Sequence, residues 1–222
     1  MRPSPFYPTA LWDGDTDNQD RDGFRYQKDP NSQDWGRIAS EVVAMQERMG
    51  TRQSGTANSS GNVTVAETDA RVNRTVLTLN SPITCTDNGA AGCHGSQKVY
   101  DFPEGAVTIL SVVPDLTLTF NDSANVSATA SVNVALGTAA AGADNEALTG
   151  TEADLSDVDA VSLTANVGSY GSILAAPVTF DGTATAKEAH LNLAVAAADA
   201  SGDEVCVVTG TVVITWVDGG DN

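Results

Sequence analysis

The stretch Glu204–Val217, EVCVVTGTVVITWV, decides the fold. Its second half alternates: Val212, Ile214 and Trp216 fall on one face of an extended chain, and Val213, Thr215 and Val217 on the other. A period of two with β-branched and aromatic residues is the mark of a strand with one buried face. Working outward, the same pattern recurs in LTLTF at 116–120 and NVSATASVNVAL at 125–136. Further strands are expected at 62–67, 73–79, 97–102, 106–113, 115–120, 160–167, 177–180 and 183–196. Asn88-Gly89 and Asp181-Gly182 are strong turn signals. So many β runs broken by turns predict an all-β fold, a β-sandwich or jelly-roll-like body over residues 62–222.

The segment 135–160, ALGTAAAGADNEALTGTEADLSDVDA, departs from that pattern. Its Ala, Gly and acidic content reads as a long surface loop with one helical turn, Thr151 and Asp154 forming a weak capping box. Small side chains suit it to contact better than to catalysis.

Residues 1–50 have another composition. They hold six of the twelve aromatics, all three methionines, four of eight prolines and six of eleven Lys/Arg. Pro3, Pro5, Pro8 and Pro30 exclude a helix and an interior strand, so 1–33 is expected to be an extended arm. Asp13, Asp15 and Asp17 match the first half of a calcium loop. The match then fails at Asn18, where the turn glycine belongs, and at Phe24, where the bidentate Glu belongs. A solvated acidic spacer is the better reading. Residues 34–49 read as one amphipathic α-helix, with Ser32 or Asp34 as cap and Gly50 as stop. Trp35, Ile38, Val42, Met45 and Met49 recur at steps of three and four, a narrow two-heptad seam. Two readings stand: the helix lies on its own body, or it packs on a partner or sister copies. Residues 51–61, TRQSGTANSSG, are a linker by composition.

Aromatics and Arg dominate binding energy at interfaces. The leader is therefore expected to be a docking arm, with Phe6, Tyr7, Pro8, Leu11, Trp12, Phe24, Tyr26 and the Trp35–Met49 seam as its contacts.

Net charge is −18, unevenly spread: −3 over residues 1–50 and −15 over 51–222. After Lys98 the one remaining cation is Lys187. Nucleic-acid binding needs Lys/Arg against phosphate, so neither nucleic acid nor an anionic membrane is expected as partner. No apolar run approaches the ~20 residues that span a bilayer, and the first residues have no apolar signal region, so synthesis in the cytoplasm is expected.

Cys206 reads as a buried free thiol. Cys85 and Cys93 flank TDNGAAG and leave open a hairpin disulfide, free thiols, or, with His94, an incomplete zinc set. No metal or cofactor is expected. The chain has two histidines, His94 and His190, and no nucleophile elbow, phosphate loop or zinc-protease motif. An enzyme is not expected.

YPTALWDG, followed by DPNSQDWGRIASEVVAMQ, resembles the opening of small virion structural proteins of tailed bacteriophages. SVNVALGTAAAGADNEALTGTEADL and VVTGTVVITWVDGGDN also look like such proteins. The resemblance implies a non-enzymatic particle component on the virion exterior, most like a head decoration (cement) protein. It implies the major capsid protein and sister copies, as a homotrimer, for partners. The alternatives are a host- or carbohydrate-binding surface module using the 135–160 loop, and a tail or neck component.

Overall fold

A computed structural model describes residues 56–57, 62–68, 72–121, 124–142, 147–173, 176–182 and 187–220. The extended arm, the 34–49 helix and the calcium-like spacer lie outside the described residues.

Among the described residues the body is all-β. Its strands are β1 (Thr56–Ala57), β2 (Val63–Thr68), β3 (Asn73–Asp87), β4 (Cys93–Asp101), β5 (Ala106–Phe120) and β6 (Ser131–Gly137). They continue as β7 (Asp159–Ser162), β8 (Val167–Tyr170), β9 (Val178–Asp181), β10 (Glu188–Val195) and β11 (Glu204–Gly220). Every pairing is antiparallel, in the order β7-β6-β10-β4-β3-β11-β5-β8, with β1 on β4, β2 on β3 and β9 on β5.

The two ends of that path, β7 and β8, are neighbours in the chain. A two-residue turn, Ala165-Asn166, joins them across the Thr164–Val167 bridge. Both turn residues have positive φ, 51° and 69°, as the hairpin turns that match strand twist require. The sheet is thereby nearly closed on itself. At the middle of the path β3 and β4 separate after a short hairpin pairing, Thr86–His94 and Asp87–Cys93. The structure thus has two halves around one core: β7-β6-β10-β4, and β2-β3-β11-β5 with β8 and β9.

β11 behaves as its alternation predicts. Cys206, Val208, Val212, Ile214 and Trp216 are fully buried. Gly210 interrupts the rhythm at φ 127°, and a Cβ there would lie 2.2 Å from the Asp115 carbonyl oxygen. Only glycine allows β5 to approach so closely.

Three strand expectations change. The runs 106–113 and 115–120 are one strand, β5, that passes through Pro114. Proline gives no N–H to a ladder, and Pro114 sits where none is needed on the outer side. β9 pairs Ala106–Ile109 and β8 pairs Leu116–Thr119, so 110–115 falls between them. The run 125–136 is a strand only from Ser131. Ser127 to Ala130 is a turn (Ala130 N–H to Ser127 carbonyl, 2.9 Å), and Val126 makes one isolated bridge to Ala200. The run 160–167 is β7, the turn and the first residue of β8. Two smaller differences remain. β3 is longer than the 73–79 stretch, and Thr56–Ala57 within the linker pairs with Tyr100 and Asp101.

Candidate functional site

All twelve predicted contact residues, Phe6, Tyr7, Pro8, Leu11, Trp12, Phe24, Tyr26, Trp35, Ile38, Val42, Met45 and Met49, lie outside the described residues. The body's own six aromatics pack in or against its core. Tyr100, Phe102, Phe120, Tyr170 and Trp216 are buried, and Phe180 is half-buried against the core. Four of these gather at one pole. Phe102 stands edge-on to Tyr100 (5.0 Å), Phe180 (5.5 Å) and Trp216 (5.9 Å), the arrangement aromatic quadrupoles prefer. Their polar atoms are matched. The Tyr100 hydroxyl donates to Glu67 Oε2 at 2.6 Å, and Trp216 Nε1–H donates to Thr75 Oγ1 at 2.9 Å. β1, the strand that follows the leader, pairs at this same pole.

The 135–160 segment is not a bare loop. Its described parts after β6, residues 138–142 and 147–156, lie as a roof over the outer face of β6 and β10. Ala135 and Ala194 are small enough to let it lie close, and Leu148, Ala141 and Ala153 pack on them. Gly137 marks the tightest approach: a Cβ there would meet the Thr151 oxygen at 2.3 Å and the Glu152 carbonyl carbon at 2.2 Å. Asn192 of β10, fully buried, pins the roof. Its Nδ2 donates to the carbonyls of Ala139 (2.9 Å) and Glu152 (2.8 Å). Its Oδ1 accepts from the Ala141 N–H (2.9 Å) and Ser96 Oγ (2.7 Å). All four hydrogen-bonding positions of the amide are filled, as burial demands.

Two carboxylates of the roof, Glu152 and Asp154, also turn inward. Glu152 accepts from the N–H groups of Gly142 (2.6 Å) and Thr149 (3.0 Å). Asp154 accepts from the N–H and hydroxyl of Thr138, both at 2.7 Å. The expected helical turn is a 3-10 turn at Gly150–Glu152, and its capping box is Thr149 with Glu152 rather than Thr151 with Asp154. The register differs because Glu reaches back across three residues to the cap N–H, and Asp154 is already bound to Thr138. Ser156 completes the seam, accepting the Leu136 N–H at 2.8 Å and meeting the Tyr170 hydroxyl at 2.6 Å. Burial raises the Tyr170 pKa to about 12.

Ser96, His190 and Glu188 stand in line on β4 and β10 and invite comparison with a nucleophile–base–acid row. The protons do not run that way. His190 Nε2–H donates to Glu188 Oε2 (3.0 Å), and Ser96 Oγ lies 3.5 Å from Nδ1. The Ser96 proton is committed to Asn192 at 2.7 Å. The row is a strut under the roof. Beside it Lys98 bridges Asp101 and Glu188, each at 2.9 Å. These contacts raise the Lys98 pKa, Asp101 first, and lower that of Glu188, Lys98 first and His190 second. His190 therefore occupies a hydrogen-bonded place in a strand, the default reading for it.

All three cysteines are free and buried. The Cys85 thiol donates to Cys93, which holds the Cys85 pKa far up and draws that of Cys93 down. Burial pushes Cys206 up to about 12. The zinc alternative fails on geometry: Cys93 is buried inward, while His94, the next residue along β4, points outward toward Asn88 Nδ2 (3.3 Å). Among the described residues no group of His, Cys, Asp and Glu is arranged to hold a metal ion, and no helix is long and apolar enough to cross a membrane.

No family model matches the chain, and no curated protein matches it. Solved structures do match. One is described as the cyanophage Pam1 capsid asymmetric unit, at 18% identity over 75% of this chain and 94% of that chain, with a TM-score of 0.26. A score that low does not establish a shared fold.

Proposed function

We propose that the chain is a non-enzymatic structural protein of a tailed-phage virion. It decorates the outside of the head with an acidic, sandwich-like body and clamps neighbouring capsid subunits through its N-terminal leader. One observation carries this reading: where the aromatic side chains go. Those of the body are spent on its own core, and none among the described residues is exposed. The anchoring side chains left for a partner are the leader's six. Each large apolar side chain buried on the shell contributes ~1.5–3 kcal/mol before binding costs. The motif resemblance noted above points to the same kind of particle. A body of net charge −15 suits the solvent side of a shell, away from packaged DNA.

The test keeps the chain whole. Phe6→Ala, Tyr7→Ala and Trp12→Ala together should leave a folded protein that no longer adds to empty heads. Full occupancy by this variant sinks the clamp. Densitometry of purified particles fixes the place: hundreds of copies accord with decoration, about six to twelve with a neck. The alternative host-binding use of the 135–160 segment has less support, because Glu152 and Asp154 are turned onto its own backbone.

A further inference from the structure

Among the described residues, no segment covers the outer face of the β2-β3-β11-β5-β8 half. Along β3 the outward side chains from Arg74 to Thr84 are Arg, Val, Thr, Asn, Pro and Thr, and along β11 from Val205 to Thr215 they are Val and Thr alone. Across these stretches and the outward positions of β5 from Leu110 to Thr119, two formal charges appear, Arg74 and Asp115, of opposite sign. The flanking strands add Thr64, Ala66, Val167 and Ser169, none charged. Over these stretches the surface is neutral, with Asp181 of β9 at its rim, on a body with twenty acidic and five basic residues. Register sets Val76, Val213 and Val113 side by side across three strands. Val113 is 46% exposed, and Leu110 nearby is 39% exposed.

We propose that this face is where a second copy of the chain binds, sheet against sheet. Charge argues for that occupant. Two copies at −18 each repel wherever acidic surfaces meet, and this broad neutral face is one on which they approach without that cost. Size argues for it too. Three central strands of about eleven residues each, with the short flanking strands, at ~4.8 Å spacing and ~3.3 Å rise cover about 670 Å². A stable protein–protein interface takes about 600–1,000 Å² from each partner. Short β-branched side chains interdigitate well when sheets stack about 10 Å apart.

Sedimentation velocity of the full-length chain at tens of micromolar tests the proposal. The wild type should sediment as a dimer or larger, and added salt should tighten the association by screening the like charges. Val113→Asp with Val213→Asp should weaken self-association about 100-fold or more with an unchanged melting midpoint. Ser162→Asp, exposed on β7 of the other half, should change nothing. If the Val pair fails to fold, Thr117→Lys with Thr209→Lys probes the same face from positions already exposed. A monomeric wild type at both low and high salt overturns the proposal. So does a folded face variant that keeps the wild-type oligomer. Association that survives on the face variants but is lost on Trp35→Ala with Met45→Ala would place the contact in the leader, and the proposal falls.

Discussion

The two outer faces of this body are built from the same kind of strand and end differently. The β6-β10-β4 face carries Asn192, Ser96 and His190 pointing outward, and the chain's own segments 138–142 and 147–156 close over Asn192. The β3-β11-β5 face carries mostly Thr and Val at its outward positions, with Asn80 on β3 among them, and no described segment closes over it. A loop has backbone N–H and carbonyl groups that must be matched before it can lie on a sheet. One amide that offers two donors and two acceptor sites makes that match. A row of valines does not. What covers a face is thus decided by a few polar side chains in the strands beneath it.

The largest way to break the contrast is to take the pin from the roofed face. Asn192→Leu leaves the carbonyls of Ala139 and Glu152 and the N–H of Ala141 without their partner. It should lower stability by about 3–4 kcal/mol, read as a fall in the urea midpoint. An unchanged midpoint would mean that the roof is held by Leu148 and the alanines alone.

A slightly smaller effect probes the core behind the bare face. Cys206 on β11 has a folded pKa raised to about 12 from 9.0 by burial. Between those values the folded state keeps a proton that the unfolded state has lost, so stability falls as pH rises. The loss should approach about 3 kcal/mol by pH 12. Tyr170, also raised to about 12, adds to it above pH 10. Cys206→Ala should reduce the slope between pH 9 and 10, where Tyr170 contributes little and Cys85, also held far up, supplies the remainder. A slope unchanged by the substitution assigns the alkaline weakness elsewhere.

The smallest effect sharpens the comparison. Val113→Thr on the bare face should shift monomer stability by less than about 0.5 kcal/mol, measured in dilute solution where copies are apart. A larger loss there would mean that something of the chain itself packs on Val113.

The sequence made some of this plain. β11 was legible because its alternation matched its burial from Val212 to Trp216. The hairpin at Asn88-Gly89 was legible because its turn chemistry is local. Pro114 misled, since a proline stops a strand only where the ladder needs its N–H, and that depends on where β8 and β9 fall. The 165–166 turn was hidden because Ala is an unusual residue at positive φ. The roof was hidden for a different reason. Asn192 stands in EAHLNLAV as one polar residue in an apolar run, and its partners are 40 to 53 positions away. A fully polar-satisfied pin looks, in one dimension, like any surface asparagine. The leader's expected contact residues are a reading of composition and lie outside the described residues.

The strand after the leader and the last described residues of the chain share a pole. Thr56 pairs with Asp101, and Gly220 pairs with Ala106, five residues beyond the same β4 end. The Asn88–Gly92 turn lies at the far end of β4. For anyone wishing to display cargo on this scaffold, the consequence is directional. A tag fused after the last strand emerges at the pole where β1 pairs with β4. A peptide inserted at Gly89, where a Cβ would meet nothing within 4 Å, is carried on the opposite pole.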